Sequence, residues 1–338
     1  MSKSTCTVTI NGKKIQANVG DTLIDAGLGG RIVIPHDCCS GQCETCRVRV
    51  LSGAIDDFGT REKDTVLGCV SVLEGDAEIS FDPVPVVQTA GGYVETIREV
   101  REDYLEVRIR VGNPVPWLPG QYLRTTFSGF PPRDYSPTTP LNLDAEHDVV
   151  VFHIKVYPDS AVSSKLGSHI KKGHGVKLRG PFGNAFLRRQ PEPIVLTSTG
   201  TGFAPIWSIA VAARMGQPNR EIRVVAGART RDGLYMRDAV RWLQSRGVPI
   251  TLTAGDGDDE TVMTARPHEL AGDLTADHVV YSAGAPEHVE AMRTLAREAG
   301  ATFYADPFYM AEEDKGLLAF TGSLLRKVAS PFTSAPTD

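Results

Sequence analysis

Apolar and polar residues alternate in short runs through the first two thirds of the chain, and strand-length runs alternate with helix-length periods in the last third. Residues 6–10 alternate, Asn11-Gly12 offers a two-residue hairpin turn, and 14–19 return. Asp21 then offers an N-cap to a short helix carrying Leu23, Ile24, Ala26 and Leu28. Runs at 47–51 and 77–81 complete a first unit, 1–86. The stretch Asp82-Pro-Val-Pro-Val-Val-Gln reads as a linker, because its prolines remove backbone donors and block helix.

A second unit, 90–188, has strand patterns at 94–100, 104–111, 122–127, 149–156 and 176–178, separated by Gly and Pro, which predicts a small antiparallel β-barrel. A third, 192–310, alternates strands (194–197, 222–226, 250–253, 279–282) with helices (204–214, 234–245, 286–299). That order predicts βαβ units and a parallel α/β sheet of the nucleotide-binding kind. Residues 311–338 form a tail in which 317–328 has an amphipathic pattern interrupted by Gly322. Packing on its own domain, or fraying, is the default reading of that pattern.

The length of 338 residues suits two or three such units, and 41% hydrophobic with 23% charged residues is ordinary for a globular chain. A net charge of -5 lacks the basic footprint of nucleic-acid binding. The N-terminus has no apolar core of a secretory signal, which predicts a cytoplasmic protein. The least charged stretch, 193–213, is interrupted by Thr197, Ser198, Thr199, Gly200, Thr201, Gly202 and Pro205. It therefore reads as strand, loop and helix, not as a membrane span.

Composition alone says little about chemistry; the cysteines say more. Cys38-x4-Cys43-x2-Cys46, followed after 22 residues by Cys69, has the plant-type [2Fe–2S] spacing, in which three thiolates converge from one loop and the fourth arrives from outside it. A structural zinc site also takes four thiolates, but it prefers two separated C-x2-C pairs and this chain has one. Cys39 reads as an unligated thiol or reserve ligand, and Cys6 as a small buried hydrophobe. Acidic residues near the loop (Asp37, Glu44, Asp56, Asp57) form a solvated face by default; the other reading is that they steer a basic partner.

Around the cysteines, Pro35-His-Asp-Cys-Cys-Ser-Gly-Gln-Cys-Glu-Thr-Cys resembles the ferredoxin domain of multi-domain flavin reductases. Arg133-Asp134-Tyr135-Ser136 alone would pass for a surface turn. After Pro119-Gly120-Gln121-Tyr122 it resembles the R-x-Y-S flavin motif of the ferredoxin–NADP reductase superfamily, and Gly180-Pro181-Phe182-Gly183 resembles the turn that ends that family's flavin domain. The resemblance implies FAD rather than FMN, with Arg133 on the pyrophosphate, Tyr135 against the isoalloxazine and Ser136 at the reactive nitrogen. It extends cofactor binding to His153 and Lys155, and to a phosphate turn at Val162, Ser163 and Ser164, where Ser160 replaces the family's glycine.

Thr197-Ser-Thr-Gly200-Thr201-Gly202-Phe-Ala-Pro resembles the family's G-G-T-G-x-A-P nucleotide loop, with Ser198 and Thr199 replacing small residues. Ser282-Ala-Gly284-Ala-Pro286 matches its C-G-x-P turn, with Ala283 replacing the cysteine. Arg229, with Arg231, lies where the family contacts the adenosine ribose. That leaves NADH and NADPH both open, with NADH favoured by the resemblance. Tyr304-Ala-Asp-Pro-Phe308 resembles the signature that places an aromatic ring over the flavin; core packing is the other reading of Phe308. The order of units is similar to the three-domain reductase components of bacterial Rieske-type ring-hydroxylating dioxygenases. It implies a path from NAD(P)H through flavin and cluster to a Rieske oxygenase or an intermediary ferredoxin. Diiron monooxygenases, cytochromes P450 and deoxysugar dehydratases are alternative acceptors for the same chemistry. A non-catalytic electron carrier or redox sensor is the alternative of another class.

Overall fold

The computed structural model describes residues 4–257 and 261–309. Strands β1 (Thr5–Ile10) and β2 (Lys13–Asn18) form the expected hairpin, with Asn11 and Gly12 both at positive φ and Cys6, Val8 and Ile10 turned inward. Helix α1 (Leu23–Gly29) is capped by Thr22 and not by the expected Asp21: Thr22 Oγ1 accepts the Asp25 N–H at 3.1 Å. Asp21 is already used, since its carboxylate accepts both N–H and Nδ2–H of Asn18 at 3.0 Å and so closes the preceding turn. Strands β3 (Arg47–Asp56), β4 (Thr65–Leu67) and β5 (Val72–Ser80) complete a sheet of order β2-β1-β5-β3-β4, with β1 and β5 parallel, as in a β-grasp ferredoxin.

The second sheet has β6 (Gln88–Arg101), β7 (Tyr104–Val111), β8 (Tyr122–Phe127), β9 (Arg133–Tyr135), β10 (Val149–Lys155) and β11 (Gly175–Phe182) in the order β10-β7-β6-β11-β8-β9, every pair antiparallel. Its interior is filled by Ile109, Leu123, Phe127, Phe152 and Leu178. Strand β9, unforeseen as a strand, has three residues, too few to show an alternation.

In the third sheet β12 (Ile194–Thr199), β13 (Ile222–Ala228), β14 (Ile250–Ala254), β15 (Val279–Gly284) and β16 (Thr302–Pro307) run parallel in the order β14-β13-β12-β15-β16. Helices α2 (Phe203–Gly216), α3 (Arg237–Ser245) and α4 (Pro286–Glu298) alternate with them. Central β12 and β15 are buried on both faces, which explains the consecutive apolar residues with which each begins, Ile194–Leu196 and Val279–Tyr281. The strand order reverses between them, so their carboxyl ends open the crevice where such sheets bind ligands. Helix α3 begins three residues later than its pattern suggests. Residues Arg231–Gly233 form a 3-10 turn, and Tyr235 turns inward to stack on Tyr104 at 4.6 Å between ring centres.

The stretch 193–213 is strand, loop and helix, and among the described residues no helix is long and apolar enough to cross a membrane. The amphipathic pattern at 317–328 lies outside the described residues.

Trp207 of α2 joins the second and third units. It is fully buried, stands edge-on to Trp242 at 5.2 Å, and donates Nε1–H to the carbonyl of Thr139 at 2.9 Å. Trp207→Ala should cost about 3–5 kcal/mol in denaturant unfolding. Trp207→Phe, which keeps most of the packing but orphans the Thr139 carbonyl, should cost about 1–3 kcal/mol.

Candidate functional site

The cysteine loop leaves α1 and doubles back through three residues at positive φ, Cys39, Gly41 and Glu44. The Ser40 and Cys43 backbone N–H groups both point at Cys38 Sγ, at 3.4 Å. Burial raises the Cys38 thiol, yet these donors outweigh it and bring it down to about 6, towards the thiolate that iron needs. Burial pushes Cys43 and Cys46 up instead. Among the described residues no three His, Cys, Asp or Glu side chains gather around one ion position. The thiols form two neighbouring pairs, Cys38 with Cys43 and Cys46 with Cys69, and Cys43 also lies near Cys46. That donor set fits two bridged irons better than a single zinc. Cys39 is exposed outside the pairs, and Cys6 sits in the sheet core as expected.

On the barrel, Arg133 and Tyr135 lie on β9, with Tyr135 half-buried 5.8 Å from the Phe152 ring. Ser136 is buried and donates its hydroxyl to Asp306 Oδ2 at 2.7 Å. Asp306 is 170 residues away in sequence and was not singled out beforehand; only the docking of β16 beside β15, with Asp306 opposite Ala283, brings it here. Phe308 N–H donates to the Gly284 carbonyl at 2.7 Å, so Ser136, Asp306, Gly284 and Phe308 meet at one end of the crevice.

The expected phosphate turn differs. Ser160 Oγ accepts the N–H groups of Val162 (3.3 Å) and Ser163 (3.2 Å), and Ser164 donates its hydroxyl to the Ser160 carbonyl at 2.6 Å. A serine in place of glycine brings its own local acceptor, so the donors expected for a phosphate are taken up by the turn itself. The Val162 side chain belongs to the barrel core, and Ser163 Oγ accepts the Tyr157 N–H. His153 is enclosed at the barrel–nucleotide boundary, 3.6 Å from Glu106 and edge-on to Tyr235. Lys155 lies over the Tyr104 and Tyr157 rings, at 5.3 and 5.6 Å. Burial pushes the Tyr104 and Tyr157 hydroxyls up, against a smaller downward pull from Arg229, which is exposed at the end of β13.

The nucleotide loop Gly200–Gly202 caps β12. Gly200 has φ +54 and open space on its side-chain side, while Gly202 packs so tightly on Ala283 and Gly284 that no Cβ fits. The substitution at 199 has a visible role: Thr199 Oγ1 accepts the Ala285 N–H at 2.8 Å and ties this loop to the turn before Pro286, the first residue of α4. A cavity of about 690 Å³ opens beside Gly200, lined also by Gly227, Arg231, Tyr235 and Arg237.

Three families match in the same order along the chain: the 2Fe-2S iron-sulfur cluster binding domain at residues 8–74, the oxidoreductase FAD-binding domain at 94–186 and the oxidoreductase NAD-binding domain at 196–293. The ferredoxin–NAD(P)(+) reductase component of a Pseudomonas putida naphthalene 1,2-dioxygenase system is 30% identical over 328 residues, covering 88% of this chain and 97% of that protein. A reductase component of naphthalene 1,2-dioxygenase/salicylate 5-hydroxylase systems from Ralstonia sp is 32% identical over 324 residues, 87% of this chain and 95% of its own length. The chain belongs to the ferredoxin–NAD(P)(+) reductase components. In fold it resembles a crystal structure of an Amycolatopsis cytochrome P450 reductase, with TM-score 0.66 at 23% identity over 90% of this chain and 98% of that one. It also resembles a ferredoxin reductase in carbazole 1,9a-dioxygenase, with TM-score 0.61 at 22% identity over 91% and 100%.

The reductase component therefore carries [2Fe–2S], FAD-binding and NAD-binding domains and is an oxidoreductase, so the carrier-or-sensor alternative does not hold. Burial pushes the Asp306 carboxyl up to about 7, against the downward pull of the Ser136 hydroxyl, and the Asp134 charge adds a smaller push. Between pH 3.8 and about 7 the folded reductase holds a proton on Asp306 that the unfolded chain has released, so stability falls as pH rises through that window. Asp306→Asn should flatten this slope, worth on the order of 2–4 kcal/mol, in unfolding measured from pH 4 to pH 8.

Proposed function

We propose that the reductase component oxidises NAD(P)H, with NADH favoured, and delivers single electrons to a Rieske-type oxygenase or its intermediary ferredoxin in aromatic-ring hydroxylation. The observation that carries this reading is the meeting of Ser136 from the flavin motif with Asp306 and Gly284 from the nucleotide unit, in a chain whose cluster loop precedes both. When bound, FAD supplies the conversion of a two-electron hydride into single electrons, which the cluster relays. Cys38, Cys43, Cys46 and Cys69 would hold the cluster. Arg133 would hold the flavin pyrophosphate beside the turn at Val162, Ser163 and Ser164, whose Val162 and Ser163 N–H groups Ser160 already engages, and Tyr135 and Phe308 would flank the ring system. Ser136 and Asp306 would hold a proton at the crevice.

Gly200, Thr201, Gly202, Gly284 and Pro286 would seat the nucleotide, with Lys155 and Arg229 as its cationic flank; His153 would support that flank from beneath. The four paired thiols in a chain with six free cysteines suit a reducing compartment, so we place the protein in the cytoplasm. Monooxygenase, cytochrome P450 and dehydratase partners would draw on the same electron path.

An anaerobic NADH titration of the protein purified with its cofactors tests this: flavin and cluster absorbance should both bleach, with uptake of about three electrons per chain. Failure of both NADH and NADPH to bleach either band rules the reading out. If the 160–164 turn holds the pyrophosphate, Ser160→Gly frees the Val162 and Ser163 donors, and FAD should bind about three- to tenfold tighter in a fluorescence titration of the apoprotein.

A further inference from the structure

Of the four acidic residues beside the cluster loop, Asp56 and Asp57 serve their own turn, accepting the Phe58 and Gly59 N–H groups, whereas Asp37 and Glu44 do not lie on the solvated face expected of them. Asp37, immediately before Cys38, has a buried carboxylate gripped by Arg124 of β8: Nη1 to Oδ1 at 3.0 Å and Nη2 to Oδ2 at 2.8 Å. The Tyr122 hydroxyl adds a donor to Oδ2 at 3.1 Å. The same guanidinium holds both oxygens of Asp134, in the flavin motif, at 2.9 and 3.0 Å. One side chain thus joins the residue before the first cluster thiol to the strand that carries Tyr135 and precedes Ser136.

Glu44, immediately after Cys43, is held from a second direction. Arg293 of α4 donates Nη2–H to Glu44 at 2.7 Å and Nη1–H to Glu62 at 2.6 Å. Arg293 and Glu44 are both mostly buried, and the guanidinium lies 5.0 Å over the Phe303 ring. Between the two grips, the Gly183 N–H donates to Thr45 Oγ1 at 3.1 Å. Farther out, Arg188 meets Asp82 at the root of the linker at 3.1 Å, and Lys63 Nζ donates to the Gly300 carbonyl at 2.6 Å. The Cys38–Cys43 segment is therefore bracketed by two carboxylates, each held by an arginine of a different domain, while Cys39, Ser40 and Gln42 stay exposed.

We propose that Arg124 and Arg293 are positioning residues that dock the ferredoxin domain, so that the electron leaving the reduced flavin reaches the oxidised cluster within one assembled three-domain body. The alternative is a ferredoxin domain that wanders on its proline-rich linker and meets the flavin by diffusion at a tether-limited concentration. The geometry favours docking, because Asp37 and Glu44 lose their closest cation and its hydrogen bonds when the guanidinium is removed, and the more distant Arg179 (3.8 Å from Asp37) and Arg47 (3.6 Å from Glu44) do not replace those bonds. This inference rests on the reductase reading.

The test uses the full chain with its cofactors, as Arg124→Gln, Arg293→Gln and the double variant, with flavin and cluster content measured first. In anaerobic stopped-flow mixing with NADH, flavin bleaching should stay within about twofold of wild type, while the later cluster bleaching slows at least ~10-fold in the double variant. Arg293→Lys keeps a charge between Glu44 and Glu62 and should recover most of the Arg293→Gln loss. Arg124→Lys cannot hold two carboxylates with a fork and should not recover its own. Small-angle X-ray scattering, which needs no turnover, should show a compact wild type and an expanded double variant. Unchanged cluster bleaching with an unchanged envelope in the double variant overturns the proposal. If Arg124→Gln loses flavin through Asp134, the Arg293 variants decide by the same two readouts. A wild type whose flavin is not reduced by NADH or NADPH sinks the reductase reading instead, and scattering still reports on docking.

Discussion

A carboxylate taken out of water needs a cation with enough donors to replace its hydration, and the arrangement of three domains around the cluster depends on that requirement. Asp37 and Glu44 flank the thiolate loop and lie inside the molecule, where Arg124 and Arg293 supply the missing donors. A planar guanidinium can do this for two carboxylates at once: Arg124 grips both oxygens of Asp37 and of Asp134, a fork no lysine reproduces, and Arg293 places one bond on each of Glu44 and Glu62. The ferredoxin domain is consequently registered against the barrel and the nucleotide sheet together through directional bonds.

That registration gives the cluster loop two unlike sides. Asp37, Glu44 and Thr45 face the other domains, and Cys39, Ser40 and Gln42 face solvent. An electron relay needs an entry and an exit, and a loop docked on one side only provides both. At the opposite end of the path, the crevice between β12 and β15 gathers glycines that admit a nucleotide backbone closely, and its Ser136–Asp306 pair carries a carboxyl that stays protonated almost to neutrality. Tight packing at Gly202 and the Thr199–Ala285 tie hold the two loops of that crevice together.

The departures from the family pattern fall where the structure compensates for them. Thr199 replaces a small residue and uses its hydroxyl to join two loops. Ala283 replaces a cysteine and is buried in the core of the nucleotide sheet. Ser160 replaces a glycine and caps its own turn. None of these removes the crevice, and so the chain keeps the architecture of a reductase despite them.

Much of this protein is local, and what is local was readable in the residues. The hairpin followed from Asn11-Gly12 and period-two alternation, the [2Fe–2S] domain from the spacing Cys38-x4-Cys43-x2-Cys46 and Cys69, and the parallel sheet from apolar strand runs alternating with helical periods. Each depends on neighbours a few residues apart, or on a spacing that the metal chemistry imposes. Tertiary structure decided the rest. Thr22 capped α1 because Asp21 was engaged by Asn18, and α3 began at Arg237 because Tyr235 turned in to stack on Tyr104. The Ser136–Asp306 pair and the Arg124 and Arg293 grips join residues far apart in the chain. A guanidinium on a strand and a carboxylate in a distant loop look like any other solvated charges in sequence; only the burial created when domains dock forces them to find each other.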